Sequence, residues 1–332
     1  MRFKVESFVM GAALLIGSSA AFAHGVTMKL RHPLPADSAF HQRFVIPWTE
    51  KVHQDAGGRI NFQIQAGDSA PDKLLDAVRE ADVDVVWTDI AATGGRLSQL
   101  EPFELPLLTK DARSASTALA DYVRLSDALQ AELDGLRVIA AHQAGNPAFH
   151  MRERPLKSMD DLKGAKIGAL TPAASLLLAQ AGATPVPVPL MKSAAALAGG
   201  DVDGVLLSWD LLPAASQAKH HAETDAMRLD APVFVLLMNA GTYKGLTDDL
   251  KQVIQDNSGA EVAAGLVAAL EADGEASRKA AAARGGSIST LPARELEKLQ
   301  PVAQAAVQAW VKTPGARGRA QALDTARETL GN

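Results

Sequence analysis

Short β-type runs alternate with helical patterns in the first half of the chain, and this order limits the folds open to it. Strands are predicted over residues 26–31, 60–64, 83–87 and 136–141. Residues 40–52 and 72–80 lie between them and carry apolar side chains at helical spacing. A β-α-β-α order predicts a largely parallel sheet covered by helices on both faces.

The same alternation returns in the second half, which indicates two lobes. Strands are predicted over residues 165–169, 185–188 and 204–207, with helices over 173–181 and 192–197. We therefore predict an α/β protein of two lobes, each a mostly parallel sheet with flanking helices. The lobe boundary is placed near Gly145.

The remaining segments are expected to connect these lobes. Residues 233–239 read as a strand that crosses back to the first lobe. Residues 247–284 lack proline and predict one or two helices bracing both lobes, with Gly259, Gly265 and Gly274 as candidate bends. The predicted domains are a signal peptide (1–23), a first lobe (24–144 plus about 234–270) and a second lobe (145–233 plus about 271–332).

The N-terminus has the pattern of a cleavable export signal. Arg2 and Lys4 give a positive start, residues 8–16 are apolar, and Ala21-Phe22-Ala23 is a small-x-small cleavage site. The apolar run is too short to span a bilayer. We therefore predict a mature chain that begins at His24 and resides in the periplasm.

Composition excludes several classes of function. The net charge is −5 and no long basic run occurs, which argues against nucleic acid as a partner. The chain has no cysteine, so neither disulfides nor thiolate chemistry are available. G-x-S-x-G, H-E-x-x-H, P-loop and G-x-G-x-x-G motifs are all absent, so no catalysis and no cofactor are predicted.

One short segment resembles a metal-binding cluster. His220 and His221 are followed by Glu223 and Asp225. Adjacent side chains on a helix point in different directions and rarely reach one ion. The segment is therefore interpreted as a solvated helix end, and no metal site is predicted.

Candidate ligand contacts follow from the position of strand ends. Parallel sheets bind small molecules beyond the carboxyl ends of their strands, and this rule selects His32, Trp87, Asp89, Asn146, Gly168, Trp209 and Asp210. Each has an ordinary structural alternative. His32 can be a hydrogen-bonding strand end, Trp87 can fill the core, and the two aspartates can cap helices.

Several motifs in consistent order resemble one family. Residues 154–167, RPLKSMDDLKGAKI, are similar to the "R-P-I-K-S-P-E-D-L-K-G-L-K-I-R" block of TRAP (tripartite ATP-independent periplasmic) transporter solute-binding proteins of the C4-dicarboxylate type. Residues 56–60, 75–84, 104–108, 182–189, 196–204 and 238–250 resemble further family segments, with Ala81 where glycine is usual.

The resemblance implies the two-lobed periplasmic binding protein fold with crossing strands and a long brace helix. It also implies that the lobes close on a small ligand, which is then delivered to the membrane permease subunits. An ABC-type or signalling binding protein is the alternative within this class. An enzyme with an unrecognised cleft site is the alternative from another class, and a member that has lost ligand binding is a third.

The sequence departs from the family where the ligand carboxylate would bind. Gly168 and Pro147 stand where the family has arginines, and Leu190 replaces the usual phenylalanine. The stretch ending at Leu207 is apolar where the family has a contacting asparagine. A simple dicarboxylate is therefore disfavoured, because a buried carboxylate needs a partner.

Two ligand classes remain equally favoured by the tryptophan and aspartate candidates. An amine suits aromatic faces beside carboxylates, and a neutral aromatic compound suits them nearly as well. An atypical organic acid, held by His150 or Asn146, is the third expectation.

Overall fold

The computed structural model describes residues 25–67, 70–212, 216–224, 227–313 and 318–331. The predicted signal peptide, the predicted start at His24 and Asp225 of the histidine segment all lie outside these residues.

The secondary structure alternates as the sequence predicts. The strands are β1 (Val26–His32), β2 (Ile60–Ala66), β3 (Val85–Asp89), β4 (Leu136–Gln143), β5 (Pro147–Met151), β6 (Lys166–Ala169), β7 (Thr184–Pro187), β8 (Gly204–Ser208), β9 (His220–Glu223), β10 (Val233–Asn239) and β11 (Ser287–Thr290). The α-helices are α1 (Ile46–Asp55), α2 (Pro71–Arg79), α3 (Ala112–Leu125), α4 (Asp127–Glu132), α5 (Pro172–Gln180), α6 (Ser193–Gly199), α7 (Ala240–Gly245), α8 (Asp248–Asp256), α9 (Ala260–Ala283), α10 (Ala293–Lys312) and α11 (Arg319–Leu330).

Local chemistry sets several of these boundaries. The side chain of Asp111 accepts a hydrogen bond from the backbone N–H of Ser114 at the start of α3, and Thr171 caps α5 in the same way. The helix predicted from residue 40 opens with a π-helical turn, His41–Val45, before α1.

The strands form two sheets, which confirms the predicted α/β fold of two lobes. The order is β2-β1-β3-β10-β4 in the first sheet and β11-β9-β5-β8-β6-β7 in the second. We call the halves built on these sheets lobe I and lobe II.

Each sheet contains one antiparallel strand among parallel neighbours. In lobe I, β10 runs antiparallel to both β3 and β4, which places residues 233–239 in the first sheet as predicted. In lobe II, β5 runs antiparallel to both β8 and β9. The chain passes from β4 to β5 through residues 144–146, and residues 227–232 lead into β10 from the side of β9. These two links join the lobes.

Apolar side chains cover both faces of each sheet. In lobe I one cluster includes Met28, Leu30 and residues of α8 and α9, while the other includes residues of α2 and α3. In lobe II the clusters on the two faces contain Phe149 and Leu206 on one side and Val205 and Leu207 on the other. All β10 residues are buried, as expected for a strand covered on both faces.

The helical segment after β10 consists of two helices that brace the molecule. Gly259, with φ of +88°, separates α8 from α9, whereas Gly265 and Gly274 lie inside α9. Along its 24 residues α9 packs against α3 and β4 of lobe I, and Gly274 contacts Trp209 of lobe II.

The C-terminal helices connect the lobes on another side. Helix α10 packs on α5 of lobe II, whereas α11 packs on α3 of lobe I. Glu101 accepts a hydrogen bond from Trp310 Nε1 at 3.0 Å and forms an ion pair with Arg319, whose Nη1 lies 2.9 Å away. Within the described residues, the helices are all too short or too polar to cross a membrane.

Candidate ligand-binding site

Apolar residues from both lobes meet beyond the strand ends. Leu190, after β7, and Leu211, after β8, belong to the same buried cluster as Phe40 and Trp87 of lobe I. We call this region, together with residues 144–146 of the first link and 227–232 of the second, the interlobe junction. It is the edge of the sheets at which small molecules bind in folds of this type.

Trp87 lies in the aromatic core behind this contact. Its ring is fully buried, 4.1 Å from the ring centroid of Phe40 and stacked on Phe234 at 4.6 Å. Its Nε1–H donates to Nε2 of His142 at 2.9 Å. These contacts match the core-filling alternative for Trp87.

His32 ends β1 beside the same aromatic group. Its Nε2 lies 2.9 Å from Nδ1 of His41, and its buried Nδ1 has no hydrogen-bond partner. Burial, with a smaller effect of His41, lowers the pKa of His32 to about 4. The imidazole is therefore neutral at neutral pH.

The two predicted aspartates bind backbone N–H groups. Oδ1 of Asp89 accepts from Ala92 at 2.8 Å, which is the capping role considered for it. Asp210 accepts from Gly145 through both oxygens, at 3.3 and 3.2 Å. Burial raises the pKa of both carboxyl groups. Asp210 thus ties the end of β8 to the first link.

His150 and Trp209 form a cluster inside lobe II instead of joining Trp87. Nδ1 of His150 lies 2.8 Å from Nδ1 of His221, and its Nε2 donates to the carbonyl of Leu207 at 3.1 Å. The ring of Trp209 packs on both histidines, and its Nε1–H donates to Glu223 at 3.0 Å. Trp87 and Trp209 belong to separate apolar clusters.

The histidine pair 220–221 lies on a strand, so the predicted helix end is wrong. In β9 the ring of His221 packs inward on His150, while His220 Nδ1 lies 2.8 Å from Ser287 Oγ. Long-range pairing of β9 with β5 and β11 determines this conformation. Among the described residues, no three His, Asp or Glu side chains are close enough together to hold a metal ion.

Gly168 allows a close approach of two apolar side chains. A Cβ at this position would lie 2.8 Å from Cγ1 of Val205 and 3.4 Å from Cγ2 of Val188. These distances leave no room for a side chain where the family has arginine.

Arg228 is the charged group at the junction that sequence reasoning missed. It is 2% exposed and lies on the second link. Its guanidinium donates to Asn146 Oδ1 (2.8 Å), Ala144 O (3.0 Å), Gln143 Oε1 (3.1 Å) and Thr109 Oγ1 (3.2 Å). The predicted residue Asn146 therefore lies at the junction, where it is exposed and accepts a hydrogen bond from this arginine.

Asp230 is a second missed group, two residues further along the same link. Its Oδ1 accepts from the Thr171 hydroxyl at 2.7 Å, while the buried Oδ2 has no hydrogen-bond partner. Burial raises the pKa of Asp230 to about 7. Burial also raises the pKa of nearby Glu104 well above its usual value.

The family comparison identifies the class of protein. Residues 30–313 match the model of the bacterial extracellular solute-binding protein family 7, DctP. The chain belongs to this family.

Solved structures of TRAP solute-binding proteins show the same fold as this family 7 protein. One, from a marine metagenome, is described as specific for aromatic acid ligands and was co-crystallised with 3-hydroxybenzoate. It is 30% identical, covers 93% of this chain and 99% of its own, and has a TM-score of 0.87. Another, from Rhodoferax ferrireducens T118, carries copurified benzoate. It is 31% identical, with coverage of 92% and 98% and a TM-score of 0.86.

A curated relative points to transport as well. The outer membrane transporter protein TsaT of Comamonas testosteroni is 26% identical over 304 residues, which are 90% of this chain and 89% of TsaT. The family and these structural neighbours are solute-binding proteins, not enzymes. The resemblance inferred from the sequence motifs is thereby confirmed.

Proposed function

We propose that this chain is the periplasmic solute-binding subunit of a TRAP transporter for an aromatic monocarboxylic acid. It captures the acid between its lobes and delivers it to the membrane permease subunits. The carrying observation is the buried apolar cluster at the junction, which contains Leu190 and Leu211 of lobe II together with Phe40 and Trp87 of lobe I. Such surfaces suit the faces of an aromatic ring.

The relatives support an acid over the other ligand classes. Two structures at 30% and 31% identity hold 3-hydroxybenzoate and benzoate. This favours the organic acid among the three expected classes. The absence of arginine at residues 147 and 168 remains part of the proposal, since it disfavours a dicarboxylate that would need two positive partners.

A ligand panel tests this function. The protein lacking residues 1–23 is heated with benzoate, 3-hydroxybenzoate, benzamide, benzylamine or succinate. Binding to the folded state adds about 2.7 kcal/mol at a ligand concentration of 100 times Kd. We expect benzoate and 3-hydroxybenzoate to raise the melting temperature. A rise with benzylamine or succinate alone would contradict the proposal.

The transport partner needs a separate experiment. Proteoliposomes carrying the cognate permease should accumulate labelled benzoate only when the binding protein and an ion gradient are both present. Uptake that requires ATP instead would assign the protein to the ABC class. A hydrolysed or otherwise altered ligand would indicate an enzyme.

A further inference from the structure

Arg228 is a buried cation whose hydrogen-bond partners are all neutral. Its acceptors are two amide side chains, one hydroxyl and one backbone carbonyl. Within the described part of the chain, none of the carboxylates forms an ion pair with it. Burial lowers the pKa of Arg228, and Asp210, Asp111 and Asp230 oppose this effect from a distance.

A buried guanidinium with neutral acceptors would be stabilised further by a nearby anion. A charged group removed from water needs a charged partner or a full set of hydrogen bonds. The four acceptors orient the guanidinium but carry no negative charge. A carboxylate that docks beside it would gain both charge pairing and further N–H donors.

The two ends of the guanidinium bind partners that differ in exposure. Nη2 is bound to Gln143 and Ala144, both fully buried, while Nη1 is bound to Asn146, which is exposed. Nη1 carries two hydrogens and makes one bond with a described residue. Four of the five guanidinium N–H groups thus have an acceptor among the described residues, and the fifth is on Nη1, which binds the exposed Asn146.

The position of this group relates it to the strand ends. Asn146 immediately precedes Pro147, the position of one missing family arginine. Asp210, at the end of β8, holds Gly145 of the same link, and Asp230 binds Thr171 beyond β6. Arg228 thus lies on the second link, along which the chain returns from lobe II to lobe I.

We propose that Arg228 forms the carboxylate subsite of the ligand-binding site, with Asn146 positioning its Nη1. The subsite takes a single carboxylate, such as that of an aromatic acid. This inference rests on the proposed function, which supplies the ligand class. The competing role is purely structural: Arg228 holds the two links together and touches no ligand.

Variants that separate charge from hydrogen bonding distinguish these roles. Benzoate affinity is measured by calorimetry for the wild type, Arg228→Lys and Arg228→Gln. Lysine keeps the charge and loses the fork, whereas glutamine keeps N–H donors and loses the charge. We expect Arg228→Lys to bind about 10-fold more weakly and Arg228→Gln at least about 100-fold more weakly.

The matched control is Asn146→Ala, which removes one Arg228 partner without changing charge. We expect it to weaken benzoate binding less than about 10-fold, because the guanidinium keeps its charge and its three other acceptors. Equal losses in Arg228→Lys and Arg228→Gln, or no loss in either, would overturn the subsite. If the wild type binds no aromatic acid, the proposed function itself fails, whatever the variants do.

A crystal structure of the wild type with benzoate tests the carboxylate subsite even if Arg228→Gln does not fold. The subsite predicts a carboxylate oxygen within about 3.2 Å of a guanidinium nitrogen of Arg228. A carboxylate bound elsewhere would overturn the inference and leave the proposed function intact.

Discussion

Trp87 donates its indole N–H to Nε2 of His142 over 2.9 Å, deep in the aromatic core of lobe I. An acceptor nitrogen carries no proton, so His142 must hold its proton on Nδ1, which lies 3.3 Å from the carbonyl of Gln143. Burial lowers the pKa of His142 to about 4. His32, His150 and His221 are also buried, with pKa values lowered to about 4, 3 and 4.

These histidines predict acid sensitivity. The unfolded chain takes up a proton at each histidine below its ordinary pKa of about 6.5, while the folded protein does not until about pH 4. The free energy of unfolding should therefore fall as pH drops from about 6.5 to 4. His142 alone contributes about 3 kcal/mol to this fall.

Urea unfolding between pH 4.5 and 7.5 measures the effect. His142→Gln keeps an acceptor for Trp87 and removes the titrating group. As pH decreases, we expect the free energy of unfolding of this variant to fall less steeply than that of the wild type. The two slopes should differ by about 1.4 kcal/mol per pH unit. An unchanged slope would show that His142 is not neutral in the folded protein.

Asp230 should act in the opposite direction. Its folded pKa of about 7 lies above the ordinary value of 3.8. The folded protein therefore retains a proton that the unfolded chain releases, and this group lowers the free energy of unfolding as pH rises from about 4 to 7. Asp230→Asn keeps an acceptor for Thr171 and should stabilise the protein at pH 8, by at most about 4 kcal/mol.

Comparison at two pH values tests this assignment. The gain in Asp230→Asn should be large at pH 8 and close to zero at about pH 3, where the wild-type carboxyl is mostly protonated in both states. A gain that does not vary with pH would attribute the effect to packing.

Gly168 should tolerate no side chain while Val205 is present. The Cβ of alanine would lie 2.8 Å from Val205 Cγ1. We expect Gly168→Ala to destabilise the protein by about 1–3 kcal/mol, a typical cost of overpacking. Denaturant midpoints measure it, and the double variant with Val205→Ala should recover part of the loss. Additive losses in the double variant would contradict the contact.

Ala81 has a backbone conformation that favours glycine. Its φ is +61°, between α2 and β3. We expect Ala81→Gly to raise the free energy of unfolding by about 1 kcal/mol, because the left-handed conformation strains alanine. Ala131→Gly in exposed helix α4 is the matched control and should lower it by about 1 kcal/mol. A similar loss in both variants would argue against strain at Ala81.

Much of the fold follows from local patterns in the sequence. Residues 233–239 were predicted as a strand because seven consecutive residues suit a buried position, and they form β10. Gly259 separates the two helices because it adopts a positive φ that glycine tolerates. Gly265 instead continues helix α9, with helical residues on both sides. Such features depend on residues close together in the chain.

The site was less predictable because its contacts join distant segments. Arg228 binds Thr109, Gln143 and Asn146, and no local pattern relates these positions. The strand-end rule selected Trp87, which lies in the middle of β3, and Trp209, which follows β8. It does not indicate which face of the sheet a ring covers, and the two rings pack in different clusters. Whether either touches ligand stays a prediction.

The place of β10 in the first sheet also constrains the order in which the polypeptide acquires structure. Residues 233–239 pair with both β3 and β4. In a nascent chain that has emerged only as far as Gln143, the edges of β3 and β4 that pair with β10 therefore lack their partner. These unpaired edges can pair with other chains until about a hundred further residues have been synthesised. A chaperone that covers these edges until β10 has been synthesised would therefore favour correct folding.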